Sequence, residues 1–276
     1  MNKIFTAPVY KLEELNNIFI ELTAKNCNQR CKCCYINLPT SYKTVKDFIS
    51  IDRIKEAIED TRNENLHCIY LTGAEPMTHP DFNSILRLCL KRCNVCICTN
   101  GSFLNEKKIR FLNKVENETQ NQIFFKLSLT HYEELENDRM KYRGNFRQTI
   151  FSLKTLSRYN FNSVLLVQNT HNLERETILE MFHKIFRENE INNTDIQICI
   201  SHTNQNEESL LKPSFKTDCM FGRSLGVNGI YSCPFLSNDY RGRVGSNFKN
   251  FSKTFTAETD FCASCSKNNN FIFTIG

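Results

Sequence analysis

Between residues 17 and 203 the chain repeats one pattern six times: a short apolar run, followed in all but the last repeat by an amphipathic one. The apolar runs are NIFIELTA (17–24), LHCIYLTG (66–73), VCICTNG (95–101), IFFKLSLT (123–130), SVLLVQNT (163–170) and DIQICISHT (195–203). Their length and their β-branched and aromatic content predict strands. IDRIKEAIEDTRN (51–63), DFNSILRLCLKRC (81–93), NEKKIRFLNKV (105–115), FRQTIFSLKTLSRYN (146–160) and ERETILEMFHKIFRE (174–188) carry apolar residues at helical spacing. Asp81, just after Pro80, is placed to cap the second helix. Strands that are apolar along nearly their whole length need cover on both faces, so the expectation is a parallel sheet wrapped by helices. The predicted class is α/β. Six such units form a partial (β/α)6 TIM-like barrel, not a closed ring of eight. The alternation stops near Asn204. Residues 204–276 are rich in Gly, Asn and loops and hold four more cysteines, which predicts a small loop-rich module ligated by cysteine after a barrel domain at 1–203.

In barrels of this kind the chemistry gathers at the C-terminal ends of the strands. The polar motifs fall there. Cys27–Cys34 follows the first predicted strand, Gly73-Ala74-Glu75-Pro76 the second and Thr99-Asn100-Gly101 the third. Ser128 to His131 ends the fourth, Asn169-Thr170-His171 the fifth and Ser201-His202 the sixth. Lone loop histidines such as His131, His171 and His202 are ordinarily surface or hydrogen-bonding residues.

The remaining bounds are broad. The 276 residues allow one large domain and a small appendage. No run approaches the roughly 18 apolar residues of a membrane span. The stretch MNKIFTAPVYKLEEL lacks the apolar core of a secretory signal, so the expected location is the cytoplasm, with no membrane partner. A formal charge of +5, thinly spread, is not the basic stripe of a nucleic-acid binder. Fourteen cysteines stand out. In a reducing compartment, clustered thiols point to metal or redox chemistry.

Two segments share the spacing C-x3-C-x2-C: CNQRCKCC from Cys27 and CLKRCNVC from Cys89. Position separates them. Cys89 and Cys93 lie on the second predicted helix in register with Phe82, Ile85 and Leu86, and Cys96 and Cys98 lie on a strand apolar on both faces. These read as core cysteines. Cys27, Cys31 and Cys34 instead occupy a polar loop at the catalytic rim. Three thiolates on one short loop can ligate three irons of a cubane and leave the fourth open. Structural zinc favours paired knuckles and four protein ligands, which this loop does not offer.

A C-x3-C-x2-C loop after the first strand of a six-unit barrel, with Gly73-Ala74-Glu75-Pro76 after the second, resembles the radical S-adenosylmethionine (radical SAM) superfamily. The resemblance covers residues 17–203. It implies a 4Fe–4S cluster on Cys27, Cys31 and Cys34 whose open iron binds SAM. It implies reductive cleavage of SAM to a 5′-deoxyadenosyl radical that removes a hydrogen atom from substrate. Gly73 and Glu75 match the family's G-G-E-P loop, which holds the SAM amino group; Ala74 replaces its second glycine. Asn100 sits in the T-N-G turn common in the family. Ser128 matches a serine that approaches the SAM ribose or carboxylate, although the usual S-x-D-G reads Ser128-Leu129-Thr130-His131 here. Cys33 fills the position of an aromatic residue near the adenine, its backbone still able to meet that ring, with Tyr35 beside it.

Cys219, Cys233, Cys262 and Cys265 remain. Four cysteines suit zinc or a second cubane. Their order after a radical SAM barrel is similar to the twitch module, a shortened SPASM domain, which implies a second, fully protein-ligated 4Fe–4S cluster. The expected function is oxidation of a small molecule such as a sugar, cyclitol or nucleotide, with an electron donor such as flavodoxin or ferredoxin. A maturase of a short peptide is the alternative, and a zinc-stabilised binding protein is the non-enzymatic one.

Overall fold

The computed structural model describes residues 9–34, 36, 48–202, 220–237, 239–257 and 262. Strand β1 (Val9–Lys11) is followed by β2 (Asn17–Thr23), helix α1 (Ile51–Asp60), β3 (Cys68–Gly73), α2 (Phe82–Leu90), β4 (Asn94–Cys98), α3 (Glu106–Glu116) and β5 (Ile123–Leu129). Then come α4 (Glu134–Met140), α5 (Asn145–Arg158), β6 (Ser163–Asn169), α6 (Arg175–Glu188) and β7 (Ile196–His202). The short strands β8 (Arg223–Gly226), β9 (Gly229–Tyr231), β10 (Arg243–Gly245) and β11 (Thr254–Thr256) follow. All six predicted strands and all five predicted helices are present, and α4 is an addition.

Strands β2 to β7 pair in sequence order, each parallel to the next. The sheet stays open and does not close into a barrel. It continues beyond β2 through β8, also parallel, and then through antiparallel β9 and β10. Segments that follow the expected boundary therefore extend the sheet of the segments that precede it; the boundary near Asn204 itself lies outside the described residues. Strand β1 pairs antiparallel with β11 in a separate two-stranded sheet.

Period-two alternation sorts the strand residues. One set, including Ile18, Ile20, Leu71, Val95, Ile97, Phe125, Leu127, Leu165 and Val167, packs in the main core with helix residues such as Ile54, Leu86, Leu112, Leu153 and Phe182. Each such side chain contributes about 1.5–3 kcal/mol when fully buried. The other set lines the concave inner face. Its base is filled by Phe19, Cys96 and Cys98, against which Cys68, Tyr70, Phe124, Phe221 and Phe235 pack. Phe19 and Tyr70 stack with ring centroids 4.6 Å apart. Its upper part is polar, with Thr72, Lys126, Ser128 and Ser201 all buried.

Local signals set the helix ends. Ser50 accepts from the Arg53 amide and caps α1; Asn105 accepts from the Lys108 amide and caps α3. Asp81 does occupy the N-cap position of α2, but its side chain makes no capping bond. Its own amide donates to His79 Nδ1 at 3.0 Å. Gly144 precedes α5 with φ +83, a left-handed turn that glycine adopts without strain.

Cys89 and Cys93 are buried in the main core, as expected. Replacing both by serine places two hydroxyls in apolar surroundings. The double variant is expected to lose about 2–4 kcal/mol of stability in urea denaturation and to take up as much iron on reconstitution as the parent.

Candidate active site

The loop after β2 is held by its neighbours' backbones. Asn26 N–H donates to Thr23 Oγ1 at 3.0 Å, and the Asn26 carbonyl accepts from Glu75 N–H at 2.9 Å. Arg30 Nη1 donates to the carbonyls of Cys27 and Gln29 at 2.6 and 2.8 Å. On the far side Met140 at the end of α4 accepts from Lys32 N–H at 2.8 Å and from Cys33 Sγ at 3.8 Å. Cys27, Cys31, Cys33 and Cys34 thereby face one cavity. Gly73, Glu75, Asn100 and Ser128 line the same cavity, so every cofactor-site residue expected in the barrel comes to one place.

Gly73 is dictated by close approach. Its φ is +130, and a Cβ would lie 2.4 Å from the Thr23 carbonyl oxygen. Only glycine lets β3 leave the sheet against the cysteine loop. Glu75 is fully buried and accepts three hydrogen bonds: from Met77 N–H at 3.0 Å, from Thr99 Oγ1 at 2.8 Å and from Asn100 N–H at 2.8 Å. Bonds to a charged acceptor contribute about 1.5–3 kcal/mol each. Burial still prevails and pushes the Glu75 carboxyl up to about 7. Asn100 reaches back to the loop, with Nδ2 2.9 Å from Asn28 Oδ1 and 3.7 Å from Cys27 Sγ.

Burial raises the Cys27 thiol, and pushes that of Cys31 to about 12 although the Lys141 ammonium opposes it. These thiols keep their protons until a metal displaces them. Among the described residues no three His, Cys, Asp or Glu side chains converge on a single ion position. The donor set and the open cavity beside it fit a cluster with one free iron.

Several lining residues carry no signal in the sequence. Lys141, just past α4, is buried and donates to Ser128 Oγ at 2.7 Å. Gln29 and Asn145 form another part of the wall and bond to each other at 3.2 Å. Cys98, expected to be a core residue, also lines the cavity. It belongs to both the inner-face cluster and the rim because the strand ends there. Cys96 donates to it, and that bond holds Cys98 below the ordinary thiol value. Gln168 and Ser201 are register partners on β6 and β7, so they share the inner face. Among the described residues Gln168 Oε1 and Ser201 Oγ are buried without hydrogen-bond partners. Spacing does not bring the lining residues Lys141, Gln29, Asn145, Cys98 and Gln168 together, because they reach the cavity from the cysteine loop, from two strands, and from the end of α4 and the start of α5. Ser201 is marked only by its place at the end of the sixth strand. The alternation along 163–170 and 195–203 does put Gln168 and Ser201 opposite their apolar neighbours, which is the one available hint.

At the C-terminal end, Cys233 and Cys262 share a small apolar cluster with Tyr10, Leu236 and Phe255. Cys219 and Cys265 lie outside the described residues, as does Tyr35. His131 is buried and its ring lies 4.8 Å from that of His171, at the ends of β5 and β6; His202 ends β7.

The model of the Radical SAM superfamily matches residues 22–203, and the chain belongs to this family. AlbA, the antilisterial bacteriocin subtilosin biosynthesis protein of Bacillus subtilis (strain 168), is 29% identical over 140 residues, which is 50% of this chain and 29% of AlbA. The GTP 3′,8-cyclase of Campylobacter jejuni subsp. doylei is 25% identical over 96 residues, 34% of this chain and 30% of that enzyme. The matched segments thus span under a third of each relative. In fold, the chain is similar to Streptococcus suis SuiB bound to S-adenosylmethionine, with a TM-score of 0.62 and 13% identity over 86% of this chain and 64% of SuiB. It is similarly related to anSMEcpe with bound AdoMet, with a TM-score of 0.61 and 14% identity over 86% of this chain and 75% of that one. Membership implies SAM, a 4Fe–4S cluster, a reductant and cleavage of SAM to a radical. The zinc-stabilised binding protein is set aside on this ground. Among the described residues no helix is long and apolar enough to cross a membrane.

The carboxyl of Glu75 sits near 7 in the fold, against 4.5 for the free group. Its raised pKa stabilises the metal-free protein below about pH 4.5, and that contribution is lost as pH rises through 7. From pH 5 to pH 8 the parent is expected to lose up to about 3 kcal/mol relative to Glu75→Gln in urea titrations.

Proposed function

We propose that Cys27, Cys31 and Cys34 hold the family's SAM-binding 4Fe–4S cluster and that the enzyme removes hydrogen from a carbon of a short peptide. Bound there, the cluster supplies the electron that cleaves SAM to a 5′-deoxyadenosyl radical. The chain's own residues bind and orient. Glu75, in its charged form, receives the SAM amino group, beside the close backbone passage that Gly73 permits. Asn100 and Ser128 meet polar groups of SAM, with Ser128 steadied by Lys141. The backbone at Cys33 borders the adenine.

The observation that carries the substrate reading is the orphaned pair on β6 and β7. Gln168 Oε1 and Ser201 Oγ are buried and, among the described residues, unpaired. Leaving such groups unmade costs about 1–3 kcal/mol each, which a bound partner recovers. An acceptor beside a hydroxyl complements the N–H and C=O of a peptide group. The similarity to AlbA, a bacteriocin biosynthesis protein, supports the same class. Oxidation of a small molecule, a sugar, cyclitol or nucleotide, is the second reading, because the same two groups also suit hydroxyls.

Cys219, Cys233, Cys262 and Cys265 hold a second 4Fe–4S cluster in this proposal, in a module over 204–276 that follows the barrel over 1–203. The shared environment of Cys233 and Cys262 supports it. With four protein ligands that cluster is closed, suited to passing an electron and not to binding substrate. Flavodoxin or ferredoxin in the cytoplasm serves as reductant.

Anaerobic reconstitution tests the cofactors. About eight irons per chain and 5′-deoxyadenosine after addition of dithionite and SAM are expected. The Cys27→Ala/Cys31→Ala/Cys34→Ala variant is expected to keep roughly half the iron and to form no 5′-deoxyadenosine; absence of cleavage by the reconstituted parent would refute the radical reading.

Substrate class is read by supplying the peptide fraction and the small-metabolite fraction of a deuterated cell extract separately. Deuterium is expected in 5′-deoxyadenosine from the peptide fraction. Deuterium only from the metabolite fraction selects the second reading.

A further inference from the structure

A chain of buried amides runs from the end of β5 to the cysteine loop. It starts at the backbone of Thr130, whose N–H donates to Asn137 Oδ1 at 2.9 Å. Asn137 Nδ2 donates to Asn145 Oδ1 at 3.0 Å, and Asn145 Nδ2 donates to Gln29 Oε1 at 3.2 Å. Thr130, Asn137, Asn145 and Gln29 are all at most 4% exposed. Side-chain amides can ordinarily be turned end for end. This series cannot, because a backbone N–H can only donate. Asn137 must present its oxygen to Thr130, so its nitrogen faces Asn145, and the same constraint passes on to Gln29. Asn137 Nδ2 is held a second time, by Asp138 Oδ1 at 3.1 Å.

The polarity has a consequence at the cavity. The oxygen of Gln29 is taken by Asn145, and Cys31 Sγ–H also points at it, at 3.9 Å. The Nε2 hydrogens of Gln29 have no protein partner among the described residues, and Gln29 lines the cavity next to Cys27 and Cys31. The Gln29 backbone N–H already donates to Cys27 Sγ at 3.3 Å. A cluster held there has lost the thiol protons, so the side-chain N–H groups are the further donors Gln29 can offer its sulfur atoms. N–H bonds to sulfur raise the reduction potential of an iron–sulfur cluster.

We propose that Gln29 is a hydrogen-bond donor to the cluster on Cys27, Cys31 and Cys34, that Asn145 and Asn137 are positioning residues which fix its orientation through the Thr130 amide, and that this relay sets the cluster's reduction potential. The inference rests on the proposed cluster assignment.

Anaerobically reconstituted protein is titrated redox-potentiometrically, following the reduced-cluster paramagnetic signal that SAM perturbs, which separates this cluster from the second one. Gln29→Leu removes the side-chain donors, leaves the backbone N–H bond to Cys27 Sγ in place, and is expected to shift that signal's midpoint to more negative potential. Asn145→Asp keeps the side-chain shape but can only accept. Gln29 must then turn its nitrogen towards the carboxylate introduced at position 145 and its oxygen to the cavity, so the midpoint is expected to shift in the same direction at unchanged iron content. If Gln29→Leu fails to hold iron, Asn145→Asp decides. Midpoints equal to the parent's in both variants would overturn the relay and leave the cluster assignment standing. A parent without a SAM-perturbed signal would overturn the assignment itself, and the relay with it.

Discussion

Parallel pairing of β2 through β7 sends all six strands towards the same rim, and everything chemical in this protein depends on that shared direction. Five strands deliver a piece of the cavity wall where they end: the cysteine loop after β2, Gly73 and Glu75 at and after the end of β3, Asn100 after β4, Ser128 on β5 and Gln168 on β6. Strand β7 sets Ser201 beside Gln168 in register. The register is not uniform. It shifts between Glu21 and Thr23 where β2 meets β3. At that irregularity Gly73 passes over Thr23, and the two loops become one hydrogen-bonded unit.

The rim is polar inside a fold whose interior is otherwise apolar, and the polar groups are satisfied by one another. Glu75 is the sharpest case. Three hydrogen bonds do not fully offset the loss of water, so the carboxyl is poised close to neutrality. An arriving ammonium group would tip it to the charged form. The buried amides of α4 and α5 work differently. They carry no charge and are nearly completely bonded, which favours rigidity over titration. Gln168 Oε1 and Ser201 Oγ complete the contrast, since among the described residues they have no hydrogen-bond partner.

The segments after β7 close the base of the concave face. Strand β8 adds to the sheet next to β2, and Phe221 and Phe235 pack on Phe19, Tyr70 and Cys96. Arg223, wholly buried, donates to the Lys253 carbonyl at 2.8 Å and ties β8 to the approach of β11. Cys233 therefore stands on a scaffold continuous with the barrel sheet.

The repeated apolar and amphipathic segments made the order of strands and helices legible, because periodicity of two or 3.6 is a property of neighbouring residues. The same local logic marked Cys27, Cys31, Cys34, Gly73 and Glu75, which lie at the end of a strand or on the loop after it. It placed Cys89 and Cys93 in the core. What it could not show is which side chains from separate strands meet. Cys98 read as core from its apolar strand, yet its position at the strand's end puts it on the cavity wall. Asn137 and Asn145 are polar residues around a short helix with no apolar stripe. Their role exists only because α4 folds back onto the cysteine loop. Sequence alone determined the elements and the loops that end them; the tertiary structure decided the convergence, since contact across a sheet is set by strand order and register, and neither is written in any one segment.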